Sequence, residues 1–197
     1  MFQLSRPSDE HVRAILEQQK AAPFSYAEVG ASRQANLPIG YNIDRYRTQL
    51  GTGSSSFAAA QAALQSWEMF NMKWLRIFPA GAEIRQGQAV AVIVAHLGFY
   101  SINLSRIVYL CNSQGPIRTV GFAYGTLVEH AETGEERFTV SWDRSDDSVW
   151  YEIVAFSKPR ATLARLGYPF GRAMQKRFGR ASLAAMVKSV GERGGLR

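Results

Sequence analysis

The stretch ERFTVSWDRSDDSVWYEIVAFS, residues 136–157, contains two runs of β-forming residues on either side of a short polar turn. Val, Ile, Phe, Tyr and Trp are enriched in strands, and Ser and Asp between two such runs are typical of a hairpin. The stretch therefore predicts two antiparallel strands, 136–143 and 148–157, that are neighbours in one sheet.

The same composition extends upstream and predicts further strands joined by short turns. In residues 43–50, IDRYRTQL, one set of alternate positions holds Ile, Arg, Arg and Gln and the other holds Asp, Tyr, Thr and Leu. We interpret this segment as the first strand. The alanine-rich segment 51–72 that follows favours a helix. The next four predicted strands are 73–79, 88–98, 100–111 and 118–130. This order predicts an antiparallel meander of seven strands, with one helix after the first strand.

Helices are predicted at both ends of the chain. Near the N-terminus, Ser8 precedes a short amphipathic segment as a helix cap, and an irregular arm rich in Pro and Gly continues to residue 42. At the other end, apolar residues recur every four positions from residue 160 onward, which predicts a long helix kinked at Pro169. The apolar side of this helix is formed by Leu163, Leu166, Phe170, Met174, Phe178, Met186 and Val190.

Together these segments predict an α+β fold in which a seven-stranded curved antiparallel sheet grips the long C-terminal helix. The length of 197 residues fits one domain, with residues 1–42 as helix and arm, 43–190 as the core and 191–197 as a flexible tail. The element order resembles the START-like helix-grip fold. That resemblance implies a hydrophobic cavity between the sheet and the terminal helix.

Three blocks of sequence carry a closer resemblance. They are NLPIGYNIDRYRTQLGTGSSSFAAAQAALQSWEMF at 36–70, GFAYGTLVEHAETGEERFTV at 121–140 and SVWYEIVAFSKP at 148–159. In this order they are similar to the domain-of-unknown-function family nineteen-ninety of bacteria and plants. The resemblance implies that the arm before residue 43 is part of the domain, and it transfers no catalytic residues.

Composition excludes several classes of protein. A lone cysteine, Cys111, excludes a disulfide framework, and the first 20 residues lack the pattern of a signal peptide, so we expect a cytoplasmic protein. The net charge of +7 is concentrated at the C-terminus, because the segment from Lys158 onward contains ten basic residues and only one acidic residue. The basic face of the last helix is either simply solvated or binds an anionic membrane through Arg172, Lys176 and Arg180; nucleic acid is the third and weakest alternative.

The segment VEHAETGEER, 128–137, raises the question of a metal or acid–base site. A tight turn at Thr133 and Gly134 is predicted, and strand alternation then puts His130 and Glu136 on opposite faces, where they cannot share a metal. We therefore predict no metal and no cofactor. Glu135 is expected to be solvated, whereas Glu129 and Glu136 would share a face with Trp142.

The sequence thus predicts a protein that binds a hydrophobic or amphipathic small molecule, such as a lipid, an isoprenoid or a polyketide-like compound. Arg106, in the middle of an apolar strand, would either form an ion pair with Glu152 or orient the polar head of the ligand. The predicted cavity lining is Tyr124, Phe138, Trp142, Tyr151, Met174 and Phe178. The alternative is a cofactor-independent cyclase- or hydrolase-like enzyme that uses Glu136 or His130 as a proton shuttle.

Overall fold

The computed structural model of the chain describes residues 1–130, 132–160 and 168–194. The strands are β1 (Phe2–Gln3), β2 (Asn42–Thr52), β3 (Leu75–Phe78), β4 (Ala89–Ala95), β5 (Tyr100–Gln114), β6 (Ile117–Thr126), β7 (Glu132–Asp143) and β8 (Ser148–Pro159). The helices are α1 (Asp9–Gln19), α2 (Gly53–Gln65) and α3 (Tyr168–Gly194). Short 3₁₀ turns cover Ala31–Arg33 and Glu68–Phe70.

The main strands form one antiparallel sheet in the order β2-β8-β7-β6-β5-β4-β3. Sequential strands from β3 to β8 pair with each other, and β2 closes the far edge beside β8. The two residues of β1 pair with Tyr100 and Ser101, where β5 extends past the end of β6. The curled sheet of seven strands and the long C-terminal helix confirm the predicted fold class.

The concave face of the sheet packs against α2 and α3 and holds the main core. Met186 and Val190 of α3 are buried there, together with Phe57 and Leu64 of α2. The Tyr151 hydroxyl lies 2.9 Å from the Ser182 hydroxyl and ties β8 to α3. The periodic apolar residues of the two helices are therefore what the sheet grips.

Helix α3 passes close to β2 because residue 179 is glycine. A Cβ atom at Gly179 would lie 2.4 Å from the Tyr46 ring, far inside van der Waals contact. In the described part of the chain α3 begins at Tyr168, so Pro169 lies in its first turn, where a missing N–H is tolerated. The predicted kink at Pro169 depends on the residues before Tyr168, and these, with the predicted apolar residues Leu163 and Leu166, lie outside the described residues.

The convex face is covered by α1 and by the arm. Val12 and Leu16 of α1 are buried against Ile102 and Leu104 of β5. Further along, the rings of Tyr26 and Tyr41 in the arm meet Phe156 edge to face, with centroids 5.6 and 5.0 Å away. These helix and arm contacts bury the apolar side chains on the outer side of the strands.

The turn between β6 and β7 differs from the prediction. Strand β7 already begins at Glu132, and the chain turns after Leu127, so Thr133 and Gly134 lie inside the strand. Gly134 has a φ of 150°, and a Cβ there would lie 1.9 Å from the Phe156 carbonyl oxygen. This glycine allows two strands to approach closely, and it does not form a turn.

The earlier turn changes which residues share a face. Tyr124 pairs with Glu136, and Phe122 pairs with Phe138. Paired residues lie on the same side of a sheet, so Tyr124 and Glu136 both belong to the concave face. Glu129 was expected to share this face with Glu136, but it lies in the turn after Leu127 and is exposed.

Candidate functional site

A cavity of about 640 Å³ lies between the concave face of the sheet and the N-terminal half of α3. Strands β2 to β8 supply one wall, because alternate residues of each strand point inward. The residues of α3 that line it are Phe170, Gly171, Met174, Gln175 and Phe178. Most of the remaining surface is apolar, and its large apolar side chains include Phe70, Trp74, Leu75, Val92, Val94 and Phe99.

Glu136 is the most perturbed carboxyl group in this cavity. Its Oε2 accepts a hydrogen bond of 2.8 Å from the Tyr124 hydroxyl. Burial raises the pKa of Glu136 to about 7, with smaller contributions from the charges of Asp44 and Glu132, although the bond from Tyr124 opposes the change. A carboxyl with a pKa near neutrality can both take up and release a proton under ordinary conditions.

Two further carboxyl groups lie beside Glu136. Glu132 accepts hydrogen bonds from Gln175 and Ser157, and burial raises its pKa. Asp44 is held by both nitrogens at the end of the Arg172 guanidinium, at 2.6 and 2.9 Å. This bidentate pair compensates the charge of Asp44. The polar end of the cavity is therefore built from β2, β7 and the first turns of α3.

His130 also lines the cavity, from the loop before β7. Its Nδ1 accepts a hydrogen bond of 3.0 Å from the backbone N–H of Glu132, so the neutral ring carries its proton on Nε2. Burial lowers the pKa of His130 to about 3. The imidazole thus stays neutral across the physiological range, and it can donate a hydrogen bond but brings no positive charge.

The predicted site residues divide into two groups. Tyr124, Met174 and Phe178 line the cavity, and so do the two candidate proton shuttles, Glu136 and His130. The predicted separation of His130 from Glu136 on opposite faces is wrong, because it followed from the misplaced turn.

The other predicted lining residues lie elsewhere. Phe138 is fully buried in the core between the rings of Phe122 and Phe70. Trp142 packs on Phe57, and its indole N–H donates to Asp147. Tyr151 is fully buried and forms the hydrogen bond to Ser182 described above. All three belong to the main core on the concave face. Phe138 lies behind the cavity-lining rings of Phe70 and Phe178, whereas Trp142 packs against α2 and Tyr151 contacts α3 at Ser182.

Arg106 lies on the convex face. Its Nη1 donates to the backbone oxygens of Lys20 and Ala22, and its guanidinium stacks on the Phe24 ring at 4.4 Å. The predicted ion pair with Glu152 is wrong, since Glu152 pairs with Arg137. Arg106 therefore fastens the end of α1 to β5 and does not face the cavity.

Glu135 was expected to be solvated and is instead 2% exposed. Its carboxylate accepts hydrogen bonds from Tyr26 Oη at 2.6 Å, from the Gly30 N–H at 2.7 Å and from the Ser32 N–H at 3.0 Å. The Ser32 hydroxyl is a fourth donor. Glu135 thus clamps the arm onto the convex face, and four donors replace the water that a buried carboxylate loses.

Sequence reasoning missed Asp44, Glu132 and Gln175. Asp44 and Tyr46 are two positions apart in β2 and therefore lie on the same face of the strand. The face of Asp44 could have been inferred once β2 was paired with β8. Glu132 lay between the predicted strands 118–130 and 136–143, beside the predicted turn, and Gln175 lies one position past Met174 in the predicted apolar stripe of α3. None of the three belongs to a recognisable motif.

The basic residues of α3 have different surroundings. Arg172 is bound to Asp44 at the edge of the cavity, whereas Lys176 and Arg180 line a shallow groove on the outside of the helix with Arg177. Among the described residues, no group of three or more His, Cys, Asp or Glu side chains could hold a metal ion. No helix in the described ranges is long and apolar enough to cross a membrane.

Comparison with solved structures supports the fold. The chain aligns over 84% of its length with 95% of a hypothetical protein from Helicobacter pylori, at a TM-score of 0.51 and 10% identity. It also aligns over 78% of its length with 95% of the Zhui aromatase/cyclase from a Streptomyces species, at a TM-score of 0.50 and 15% identity. Identities this low show a shared fold alone.

Comparison with sequences identifies the family. The model described as Domain of unknown function (DUF1990) matches residues 25–185. A UPF0548 protein of Dictyostelium discoideum is 32% identical, with 97% of this chain and 96% of that protein aligned. A UPF0548 protein of Deinococcus radiodurans is also 32% identical, with 97% of this chain and 100% of that protein aligned. The resemblance seen in the three sequence blocks is thereby confirmed, and the chain belongs to the DUF1990 family, together with these UPF0548 proteins.

Proposed function

We propose that this protein binds a hydrophobic or amphipathic small molecule, of the size of a lipid, isoprenoid or polyketide-like compound, between the sheet and α3. The observation that carries the proposal is the cavity of about 640 Å³, which falls within the roughly 300–1,000 Å³ of typical ligand pockets. Apolar walls with a few polar groups at one end are the usual composition of such a site.

The proposal is tested by filling the cavity. Met174→Trp puts a large ring into the space beside α3, whereas Val187→Trp makes the same change at an exposed position of the same helix. Binding is measured with N-phenyl-1-naphthylamine, an uncharged probe that fluoresces in apolar surroundings, and with 1-dodecanol as competitor. We expect Met174→Trp to weaken the binding of the probe and of 1-dodecanol at least tenfold, and Val187→Trp to leave both affinities unchanged. Equal binding by the two folded variants would contradict the proposal.

A second candidate function is catalysis of proton transfer, as in a cyclase- or hydrolase-like enzyme. The observation that favours it is Glu136 itself, which faces an apolar cavity with a pKa of about 7 and holds the Tyr124 hydroxyl at 2.8 Å. Above this pKa the carboxylate is a general base, and below it the protonated group is a general acid. Tyr124 could donate its hydrogen bond to an oxygen that becomes negative during the reaction.

The catalytic candidate can be tested without knowing the natural substrate. In 5-nitrobenzisoxazole, a base removes the ring C–H proton, the C–H electrons form a nitrile, and the N–O bond breaks to release a coloured phenolate. We expect the protein to accelerate this ring opening, with a rate that rises through about pH 7 and is lost in Glu136→Gln. A rate equal to that of buffer, or an undiminished rate in the variant, would remove Glu136 as a base.

A further inference from the structure

We infer that the ligand is an amphiphile whose polar end is a protonated amine, bound between Glu132 and Glu136. This inference rests on the proposed function, because it names the chemistry that the same cavity selects. It is carried by the charges and hydrogen bonds at the polar end of the cavity.

The charges at the polar end are unbalanced. Asp44, Glu132 and Glu136 place their side chains there, and the described residues that line the cavity include no lysine or arginine. Arg172, at the edge, compensates Asp44 through its bidentate contact. Glu135 also borders the cavity, but its carboxylate is engaged by the arm on the opposite face. The charge of Arg172 also acts on Glu132, so one guanidinium is shared by two carboxyl groups, and within the described residues Glu136 has no cation of its own.

The hydrogen bonds to Glu132 and Glu136 come from neutral donors. Glu132 accepts from Gln175 and Ser157, and Glu136 accepts from the Tyr124 hydroxyl at Oε2. Within the described parts of the chain, Oε1 of Glu136 accepts no hydrogen bond. His130 cannot replace the missing cation, because its imidazole remains neutral. The site is thus rich in acceptors and needs donors.

A protonated amine satisfies this site better than the other common head groups. An ammonium has three N–H donors and one positive charge, and a hydrogen bond between charged partners is about twice as strong as a neutral one. A hydroxyl head could donate only one hydrogen bond and would bring no charge. A carboxylate or phosphate head would meet two carboxyl groups of its own sign, which is unfavourable at close range. The apolar walls formed by Phe70, Trp74 and Met174 would surround the tail.

The experiment compares three ligands with the same twelve-carbon tail, namely dodecylamine, 1-dodecanol and lauric acid. Each competes with N-phenyl-1-naphthylamine for the full chain at pH 8, where Glu136 is ionised and the amine is protonated. We expect the amine to bind at least tenfold more tightly than the alcohol, and the acid to bind most weakly. At pH 5.5 the preference for the amine should shrink to threefold or less, because Glu136 takes up a proton.

Two variants show whether the preference comes from the cavity. Glu136→Gln should weaken the binding of dodecylamine at least tenfold and change the affinity for 1-dodecanol less than threefold. Glu129→Gln removes the same charge from an exposed position outside the cavity lining, and it should change neither ligand. An equal loss in both variants would mean that net charge alone attracts the amine, which would overturn the inference.

The outcomes separate the two proposals. If 1-dodecanol displaces the probe and dodecylamine binds no better, or if lauric acid binds most tightly, the amine inference is wrong while the proposed function stands. If neither the probe nor any of the three ligands binds, the proposed function fails first, and the inference falls with it.

Discussion

Replacing Glu136 by Gln should stabilise the protein at pH 8 and hardly affect it at pH 4.5. Gln has nearly the same shape as Glu and can still accept a hydrogen bond from the Tyr124 hydroxyl, so the substitution removes only the negative charge. The pKa of Glu136 is raised from 4.5 to about 7 in the folded chain, chiefly by burial. Since one pKa unit corresponds to about 1.4 kcal/mol, ionised Glu136 costs the folded state roughly 3 kcal/mol in a dry cavity and about 1 kcal/mol in a hydrated one.

The direction of the pH dependence follows from proton binding. Between pH 4.5 and 7 the folded protein keeps a proton on Glu136 that the unfolded chain releases, so the stability of the unmodified protein falls as the pH rises through this window. Below pH 4.5 both states are protonated and the cost disappears. Above pH 7 both states are ionised, and the full cost remains.

The assay is urea unfolding of the unmodified protein and of Glu136→Gln at pH 8 and pH 4.5, followed by far-UV circular dichroism. We expect the free energy of unfolding of the variant to be higher by about 1–3 kcal/mol at pH 8 and by only a few tenths of a kcal/mol at pH 4.5. Glu129→Gln, at an exposed position, serves as the control and should show no such pH dependence. The variant and the unmodified protein could instead differ in free energy of unfolding by the same amount at both pH values. That result would refute the claim that ionised Glu136 destabilises the folded state.

Three other predictions concern the arm, the grip of α3 and the cysteine. Glu135→Ala removes the acceptor of four hydrogen bonds from the arm and leaves Tyr26 Oη and the N–H groups of Gly30 and Ser32 unpaired, so it should lower the free energy of unfolding by about 3 kcal/mol or more, with faster tryptic cleavage after Arg33; unchanged cleavage would contradict the clamp. Gly179→Ala should cost about 1–3 kcal/mol in thermal or urea unfolding because its Cβ meets the Tyr46 ring, whereas Gly191→Ala, which meets nothing within 4 Å, should be neutral or slightly stabilising. Burial raises the pKa of the Cys111 thiol, so iodoacetamide at pH 8 should alkylate the folded chain at least tenfold more slowly than the urea-unfolded chain, and equal rates would show that the thiol is freely accessible.

The fold could be predicted from the sequence because its signals are local. Strand β8 carries Trp, Tyr, Ile, Val and Phe without a helical period, and the polar residues 144–147 before it can only form a turn. In α3, Phe170, Met174 and Phe178 recur at the helical spacing. Given these elements, few arrangements bury every apolar face, and the gripped helix is one of them.

The site could not be predicted to the same degree because it depends on register. Gly134 and Thr133 have the composition of a turn, yet the glycine is needed where β7 passes the Phe156 carbonyl. One misplaced turn put His130 and Glu136 on opposite faces, although both line the cavity. The role of Glu135 depends on donors more than 100 residues away in the chain, at Tyr26, Gly30 and Ser32. No local pattern reports such a contact.

The adjacent glutamates of β7 have a consequence for how the family can diversify. Glu135 is bound by the arm, and Glu136, one residue later, faces the cavity. Strand alternation gives the two neighbours independent surroundings, so selection can act on them separately. A lineage that acquires a different ligand can exchange residue 136 while residue 135 stays fixed with the arm. Under the proposed function, homologues that keep the arm but carry an apolar residue at position 136 should prefer uncharged ligands, which the same competition assay would measure.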